Sequence, residues 1–306
     1  QPAPAPALVV VATPPDVAGD VVVHALRNYP GAVVTDVASV KEPIAKCVLE
    51  RVPNLAQRYV GSHPMAGRER SGAASARADL FDARPWVLVA TPATSPNALS
   101  AVRQLAIDLG ALPTQLGAAE HDRAVALISH TPQLVASALA ARLEQAPEMA
   151  LNLAGQGLRD TTRIAASDPR LWAAILNANR SSVSQVLREL RVDIDALIEA
   201  LEQGRGSVGT VVDVMQRGNL GRDRIPGKHG GAPSRYAEVM VLIPDAPGQL
   251  ARLFNDVGAA QVNIEDLVIE HSAGQRQGLA TLLVAPAAAV GLRQALEQQG
   301  WKIVAN

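Results

Sequence analysis

Ala7-Leu8-Val9-Val10-Val11-Ala12 is an unbroken apolar run that stops at Thr13-Pro14-Pro15. A run this short, rich in Val and closed by proline, predicts a strand buried on both faces, as in a parallel sheet. Similar runs follow as Ala32-Val33-Val34-Thr35-Asp36, Arg58-Tyr59-Val60-Gly61 and Trp86-Val87-Leu88-Val89-Ala90. Helical spacing occupies 17–28 and 40–51 between them. Strand and helix alternate, which predicts an open α/β sheet, and such sheets hold ligands beyond the carboxyl ends of their strands. Thr13-Pro14-Pro15, residues 36–41 and residues 62–67 then share one edge, where chemistry is expected.

Further along, residues 120–143 form a largely apolar helical stretch through Ala124, Leu127, Ile128, Leu134, Val135 and Leu139, and Pro132 predicts a kink in it. Ser167-Asp168-Pro169 is a helix start, a capping residue before proline at the first helical position. About 35 residues of helix are expected beyond it, too apolar on one side for a lone small domain, so a bundle shared between two subunits is the natural use. Residues 217–235, rich in Gly and Arg with Pro226 and Pro233, read as a linker. After it come strands at 236–243, 262–271, 280–285 and 301–304 and helices at 247–257 and 287–299. This βαββαβ order predicts a separate ferredoxin-like α+β domain.

With 306 residues, 28 Lys+Arg and 29 Asp+Glu, the chain has a formal charge of −1. Bulk electrostatics give no case for a nucleic-acid or membrane-surface protein. Cys47, the single cysteine, rules out an intrachain disulfide framework and a Cys-cluster zinc site. No stretch reaches about 18 uninterrupted apolar residues. The expectation is a soluble, cytoplasmic, multidomain protein.

Among six histidines, His63 stands out because Gly61-Ser62-His63-Pro64 ends a strand. An imidazole there suits a general base near neutral pH. Ser39, on the neighbouring exit loop, carries a hydroxyl able to reach the same ring or the same ligand. No second histidine stands at metal-ligand spacing from His63, so no metal is expected. The polar segment Gly155-Gln156-Gly157-Leu158-Arg159-Asp160-Thr161-Thr162-Arg163 suits a carboxylate ligand held by a guanidinium fork, although in isolation an Arg–Asp surface pair explains it better. Gly204-Arg-Gly206-Ser-Val-Gly209 matches a dinucleotide fingerprint but follows a helix instead of a strand. It reads as a helix end with a Gly loop.

Several segments, taken in order, resemble the prephenate/arogenate dehydrogenase family of tyrosine biosynthesis. They are Val10-Val11-Ala12-Thr13-Pro14-Pro15, Thr35-Asp36-Val37-Ala38-Ser39-Val40-Lys41, Gly61-Ser62-His63-Pro64-Met65-Ala66-Gly67, Ile128-Ser129-His130-Thr131-Pro132-Gln133, and Arg159-Asp160-Thr161-Thr162-Arg163 with Ser167-Asp168-Pro169 and Trp172. The tail, with Pro244-Asp245-Ala246-Pro247-Gly248-Gln249-Leu250 and Asn263-Ile264, resembles an ACT regulatory domain.

The resemblance implies NAD- or NADP-dependent oxidative decarboxylation of prephenate to 4-hydroxyphenylpyruvate by a cytoplasmic homodimer. It puts the catalytic histidine on His63 and its orienting serine on Ser39, with Thr13, Pro14, Pro15 and Ser39 against the cofactor. Arg163, Asp160, Ser129 and Gln133 are implied at the substrate, Glu69 at its entrance, and Trp172 reaching across the dimer. An aromatic amino acid effector is implied at Asp245, Pro247, Gly248, Leu250, Asn263 and Ile264. Many members carry a second histidine where Gln133 stands, which leaves arogenate as an alternative substrate. The family's first strand and Gly-rich phosphate turn, roughly 60 residues, belong before Gln1, so the Rossmann-like domain reads as N-terminally truncated. A truncated sheet would expose an edge and bind cofactor weakly. A catalytically inert, ligand-sensing ACT protein is therefore a further alternative. The expected domains are a Rossmann-like one at 1–115, an all-α dimerisation domain at 116–216, the linker, and an ACT domain at 236–306.

Overall fold

The computed structural model describes residues 5–67, 76–204, 208–226, 236–271 and 277–304. Two compact units result: residues 1–145 with 160–192, and residues 146–159 with 193–306.

In the first unit the strands are β1 (Leu8–Val11), β2 (Val33–Asp36), β3 (Tyr59–Pro64), β4 (Pro85–Val89) and β5 (Leu112–Gln115), adjacent in that order. Helices α1 (Pro15–Asn28) and α2 (Glu42–Arg51) follow β1 and β2, and α3 (Pro96–Asp108) joins β4 to β5. One face of the sheet packs Val11, Val34 and Tyr59 with Val22, Leu26, Ile44 and Val48 of α1 and α2. The other packs Val60, Trp86 and Leu88 with Ala98, Val102 and Ala106 of α3. Tyr59 and Val60, consecutive in β3, thus enter opposite cores, as the period of a strand requires.

Two expectations need correcting. β1 is an edge strand with Val10 45% exposed, so it is not buried on both faces. β4 runs antiparallel to β3, although β1–β2, β2–β3 and β4–β5 are parallel. A parallel neighbour needs a crossover, usually helical, and among the described residues between β3 and β4 there are only turns.

Beyond β5 the chain becomes helical: α4 (Ala118–Val125), a π-helical turn at Ala126–His130, and α5 (Thr131–Ala141). Pro132 has no N–H to give Ile128, and its ring crowds that carbonyl. The turn before it widens, with Thr131 N–H reaching back to the Ala126 carbonyl. The expected kink is therefore a π-turn. By length and composition 118–141 is apolar enough to cross a membrane, but it carries buried His121, Asp122 and His130.

Short α6 (Glu148–Asn152) and α7 (Gln156–Thr162) lead through a 3-10 turn at Arg163–Ala165 to α8 (Pro169–Ala178). Asp168 caps α8, its carboxylate accepting from Arg170 N at 2.8 Å and Leu171 N at 3.4 Å. The single long helix expected here is broken at Asn179, and α9 (Arg180–Gln203) continues. The Asn179 amide is buried and donates to the Asp122 carbonyl at 2.7 Å. That bond ties the end of α8 to α4, whose Asp122 carboxylate accepts from Lys41 N and Glu42 N at the start of α2, and residues 160–192 fall in the sheet-bearing unit.

In the second unit α9 ends at Gly204, whose φ of +76° is the left-handed conformation that glycine takes at a helix end. α10 (Val208–Arg222) follows, so helix occupies 217–222 where linker was expected. The C-terminal elements are β6 (Ala237–Pro244), α11 (Gln249–Ala259), β7 (Ile264–His271), β8 (Gln277–Val284), α12 (Pro286–Gln298) and β9 (Lys302–Val304). Their sheet order, β7-β8-β6-β9 with antiparallel pairs, is the ferredoxin-like topology. Val239, Val241 and Ile243 alternate along β6 into a core shared with Leu253, Leu292 and Leu296.

Candidate active site

The carboxyl ends of β1, β2 and β3 open into a cavity of about 970 Å³. Thr13, Pro14 and Pro15 line it from the end of β1, Val37 to Ser39 from the end of β2, and His63 to Gly67 from the end of β3. Ser129, His130 and Gln133 close it from the π-turn and α5, and Ser167, Trp172 and Ile175 from the α8 region. Eight of the residues expected at the site therefore share one cavity: Thr13, Pro14, Pro15, Ser39, His63, Ser129, Gln133 and Trp172. Trp172 does so within its own chain, its ring centroid 6.0 Å from that of His130. Gln133 is buried and donates to Ser167 Oγ at 2.7 Å. Arg163 and Asp160 are exposed, and of that segment only Ile164 reaches the lining. Glu69 lies outside the described residues.

Beneath this cavity is a buried polar core that residue spacing did not reveal. Lys41 and Asp36 are both fully buried and form an ion pair. The Asp36 carboxylate also accepts from Ala38 N at 3.1 Å and from the Tyr59 hydroxyl at 2.7 Å. Burial pushes the Lys41 ammonium down from its ordinary value, with Asp36 opposing, and pushes the Tyr59 phenol well above 10. Gly61 makes room for this cluster. A Cβ there would lie 3.0 Å from Tyr59 Oη and 3.3 Å from Lys41 Cδ. Ser62 faces the same core, donating to the Asp36 carbonyl at 2.8 Å.

His63 is half-buried, with Nδ1 2.9 Å from Nε2 of the buried His121. Burial holds its imidazole well below 6.5, and His121, Lys41 and His130 add to the effect. It is a neutral base at physiological pH. Burial likewise takes His130 down to about 4, against an opposing pull from Asp122. Lys41, His121, Asp122 and Asn179 were not read as site residues. The one available signal was Glu120-His121-Asp122, a polar step inside an otherwise apolar helical run.

A neutral imidazole at the carboxyl edge of an α/β sheet, facing a cavity closed by helices, is the arrangement of an α/β enzyme and is chemically able to accept a proton from a small polar ligand. The family model for the prephenate dehydrogenase nucleotide-binding domain matches residues 3–113, and that for the prephenate dehydrogenase dimerization domain matches 117–217. Over 303 residues the chain is 35% identical to the Probable prephenate dehydrogenase NovF of Streptomyces niveus, covering 96% of this chain and 83% of that one. The crystal structure of Synechocystis arogenate dehydrogenase is 30% identical with a TM-score of 0.60, covering 71% of this chain and 78% of that one. The A. aeolicus prephenate dehydrogenase, in complex with hydroxyphenyl propionate and NAD⁺, is 27% identical with a TM-score of 0.61, covering 71% and 77%. This chain belongs to the prephenate dehydrogenase family of oxidoreductases.

Proposed function

We propose that this chain oxidatively decarboxylates prephenate to 4-hydroxyphenylpyruvate. The observation that carries the reading is His63, held neutral at the wall of a cavity roomy enough for substrate, whose lining also includes Ser39, Ser129 and Gln133. The residues at the end of β1 suit the nicotinamide end of NAD(P)⁺. Pro14 and Pro15 give an apolar wall, and Thr13 Oγ1 is buried there with no hydrogen-bond partner among the described residues. When bound, the dinucleotide supplies the hydride acceptor.

The protein's own part is to place and deprotonate the substrate. His63 accepts the proton of the ring hydroxyl, which pushes electron density onto the carbinol carbon from which hydride departs. The bond to the ring carboxylate then breaks, CO₂ leaves, and its electron pair completes the aromatic ring. Ser39 lines the same cavity and orients the His63 ring or the ligand. Arg163, next in the chain to cavity-lining Ile164, is assigned a substrate carboxylate through its guanidinium fork, and Asp160 the support of that segment. Glu69 is assigned the entrance.

A homodimer is part of the reading. Ile194, Ile198 and Leu201 of α9 and Val212 and Met215 of α10 expose large apolar side chains that a second copy would cover. The C-terminal domain is read as an ACT regulatory domain. Its cavity of about 220 Å³ is lined by Asp245, Pro247, Gly248 and Leu250, with Gly248 at φ +85° making the turn into α11. Asn263 and Ile264 lie off that lining. Calorimetric titration with tyrosine and with phenylalanine is expected to give saturable heat for at least one. Heat from neither would leave the domain purely structural.

Turnover of prephenate and of arogenate, each with NAD⁺ and NADP⁺, tests the main reading by absorbance of the reduced nicotinamide. The expected result is a higher kcat/KM for prephenate. Preference for arogenate would assign the chain to that substrate, and no reduction with either at saturating cofactor would leave the inert, ligand-sensing alternative.

A further inference from the structure

The function proposed above uses His63 but gives no role to the buried pair behind it. His63 Nδ1 meets His121 Nε2 at 2.9 Å, and His121 Nδ1 meets Asp122 Oδ1 at 2.7 Å. His121 and Asp122 are 1% and 2% exposed, so bulk water does not compete for these contacts. Asp122 also receives two backbone donors from the start of α2, Lys41 N on Oδ1 at 2.8 Å and Glu42 N on Oδ2 at 2.9 Å. Those N–H groups are the ones a helix start leaves unpaired, so Asp122 caps α2 from another element.

The hydrogen positions follow from this arrangement. Both Asp122 oxygens act as acceptors of N–H groups, so His121 Nδ1 must carry a hydrogen and donate it. In the neutral ring, His121 Nε2 then has the lone pair, and the hydrogen between the two rings belongs to His63 Nδ1. His63 Nε2 is left bare. It is the nitrogen whose lone pair can take a substrate proton, on a residue that lines the cavity.

We propose that His121 and Asp122 are positioning residues, which hold His63 as its Nδ1–H tautomer so that Nε2 is the atom that accepts the substrate's hydroxyl proton. The proposal rests on the functional reading of His63 given above. As the substrate O–H bond breaks and the Nε2–H bond forms, His63 becomes an imidazolium. Its Nδ1–H stays on His121, and the Asp122 carboxylate beyond offsets the new charge. Lys41 and His130 also face His63 and oppose that charge, which makes the Asp122 carboxylate the compensating group in the chain of hydrogen bonds.

The test combines nitrogen NMR of ring-¹⁵N-histidine protein with kinetics. In the wild type, the His63 signals are expected to show a protonated Nδ1 and a bare Nε2. His121→Phe fills the space but removes the acceptor. Loss of an orienting partner that sets the tautomer costs up to ~10⁴-fold. With one ring intervening, kcat is expected to fall about 10²-fold while KM moves little. His121→Gln can accept from His63 through Oε1 and donate to Asp122 through Nε2, so it is expected to recover most of kcat. A wild-type His63 protonated on Nε2 would overturn the proposal. So would a folded His121→Phe with unchanged kcat. If His121→Phe melts far below the wild type, the wild-type tautomer and the His121→Gln variant decide alone. The tautomer is read without substrate, so the two readings fail separately. An Nδ1–H His63 in a protein that turns over neither prephenate nor arogenate would sink the function and keep the geometry.

Discussion

His63→Asn is expected to fold normally and to lose about 10²- to 10⁴-fold in kcat, the range over which a positioned general base accelerates proton transfer. The side chain is half-buried and carries no ion pair among the described residues, so its replacement by an amide of smaller size removes little packing. The amide nitrogen can still donate to His121, which keeps the hydrogen bond behind the site. What it cannot do is accept a proton at neutral pH. The pH profile adds a second readout. A base works only when unprotonated, and burial holds His63 well below 6.5. The wild-type kcat/KM should therefore stay level as pH falls through 6.5 and drop only below it, as His63 takes up a proton. In His63→Asn that acid limb should disappear. A variant with near-native turnover, or a wild-type limb centred above 6.5, would remove His63 from the chemistry.

The same lowered affinity for protons bears on stability. His63 and His130 are both harder to protonate folded than unfolded, with His130 at about 4. Below the unfolded value of 6.5 the unfolded chain takes up protons that the native state refuses. Native stability is thus full above about 6.5 and falls as pH descends from there towards 4.

How much of this was legible in sequence depends on what kind of signal each feature leaves. β1, β2, β3 and β4 were visible because short Val-rich runs between Pro, Asp and Gly have few other uses. The C-terminal βαββαβ unit was visible because its apolar alternation switches cleanly between periods of 2 and 3.6. The direction of β4 was not, since a strand's residues do not encode which way its neighbour runs. Nor was the break at Asn179, which depends on a bond to the carbonyl of Asp122, 57 residues away. His63, Ser39 and Gln133 were legible as an ordered set of motifs. His121 was one histidine among six, and its meaning exists only once α4 is laid across the end of β3. Lys41 and Asp36 sat in a quoted motif, yet nothing in the residue types says that a Lys five positions from an Asp is wholly buried.

That burial gives the second large effect. Lys41→Met is expected to destabilise the fold by about 3–5 kcal/mol, the usual consequence of removing one partner from a buried ion pair. Methionine keeps the length and apolar stem of the lysine, so cavity formation contributes little and the loss reports the missing charge. Asp36 would keep only neutral donors, Ala38 N and the Tyr59 hydroxyl, around a carboxylate with no access to water. Against a typical total of about 5–15 kcal/mol, such a loss is easily read in the urea midpoint, and it should be accompanied by lower turnover. Lys41 closes the loop that carries Ser39, and its own N–H is held by Asp122, which in turn holds His121. The double variant Lys41→Met with Asp36→Asn separates charge from shape: with no unpaired carboxylate left, it should recover part of the stability that the single variant loses. A single-variant loss below about 1 kcal/mol, the range of exposed pairs, would mean that water reaches Asp36 and that the polar core beneath the cavity is not the dry, fixed base on which His63 depends.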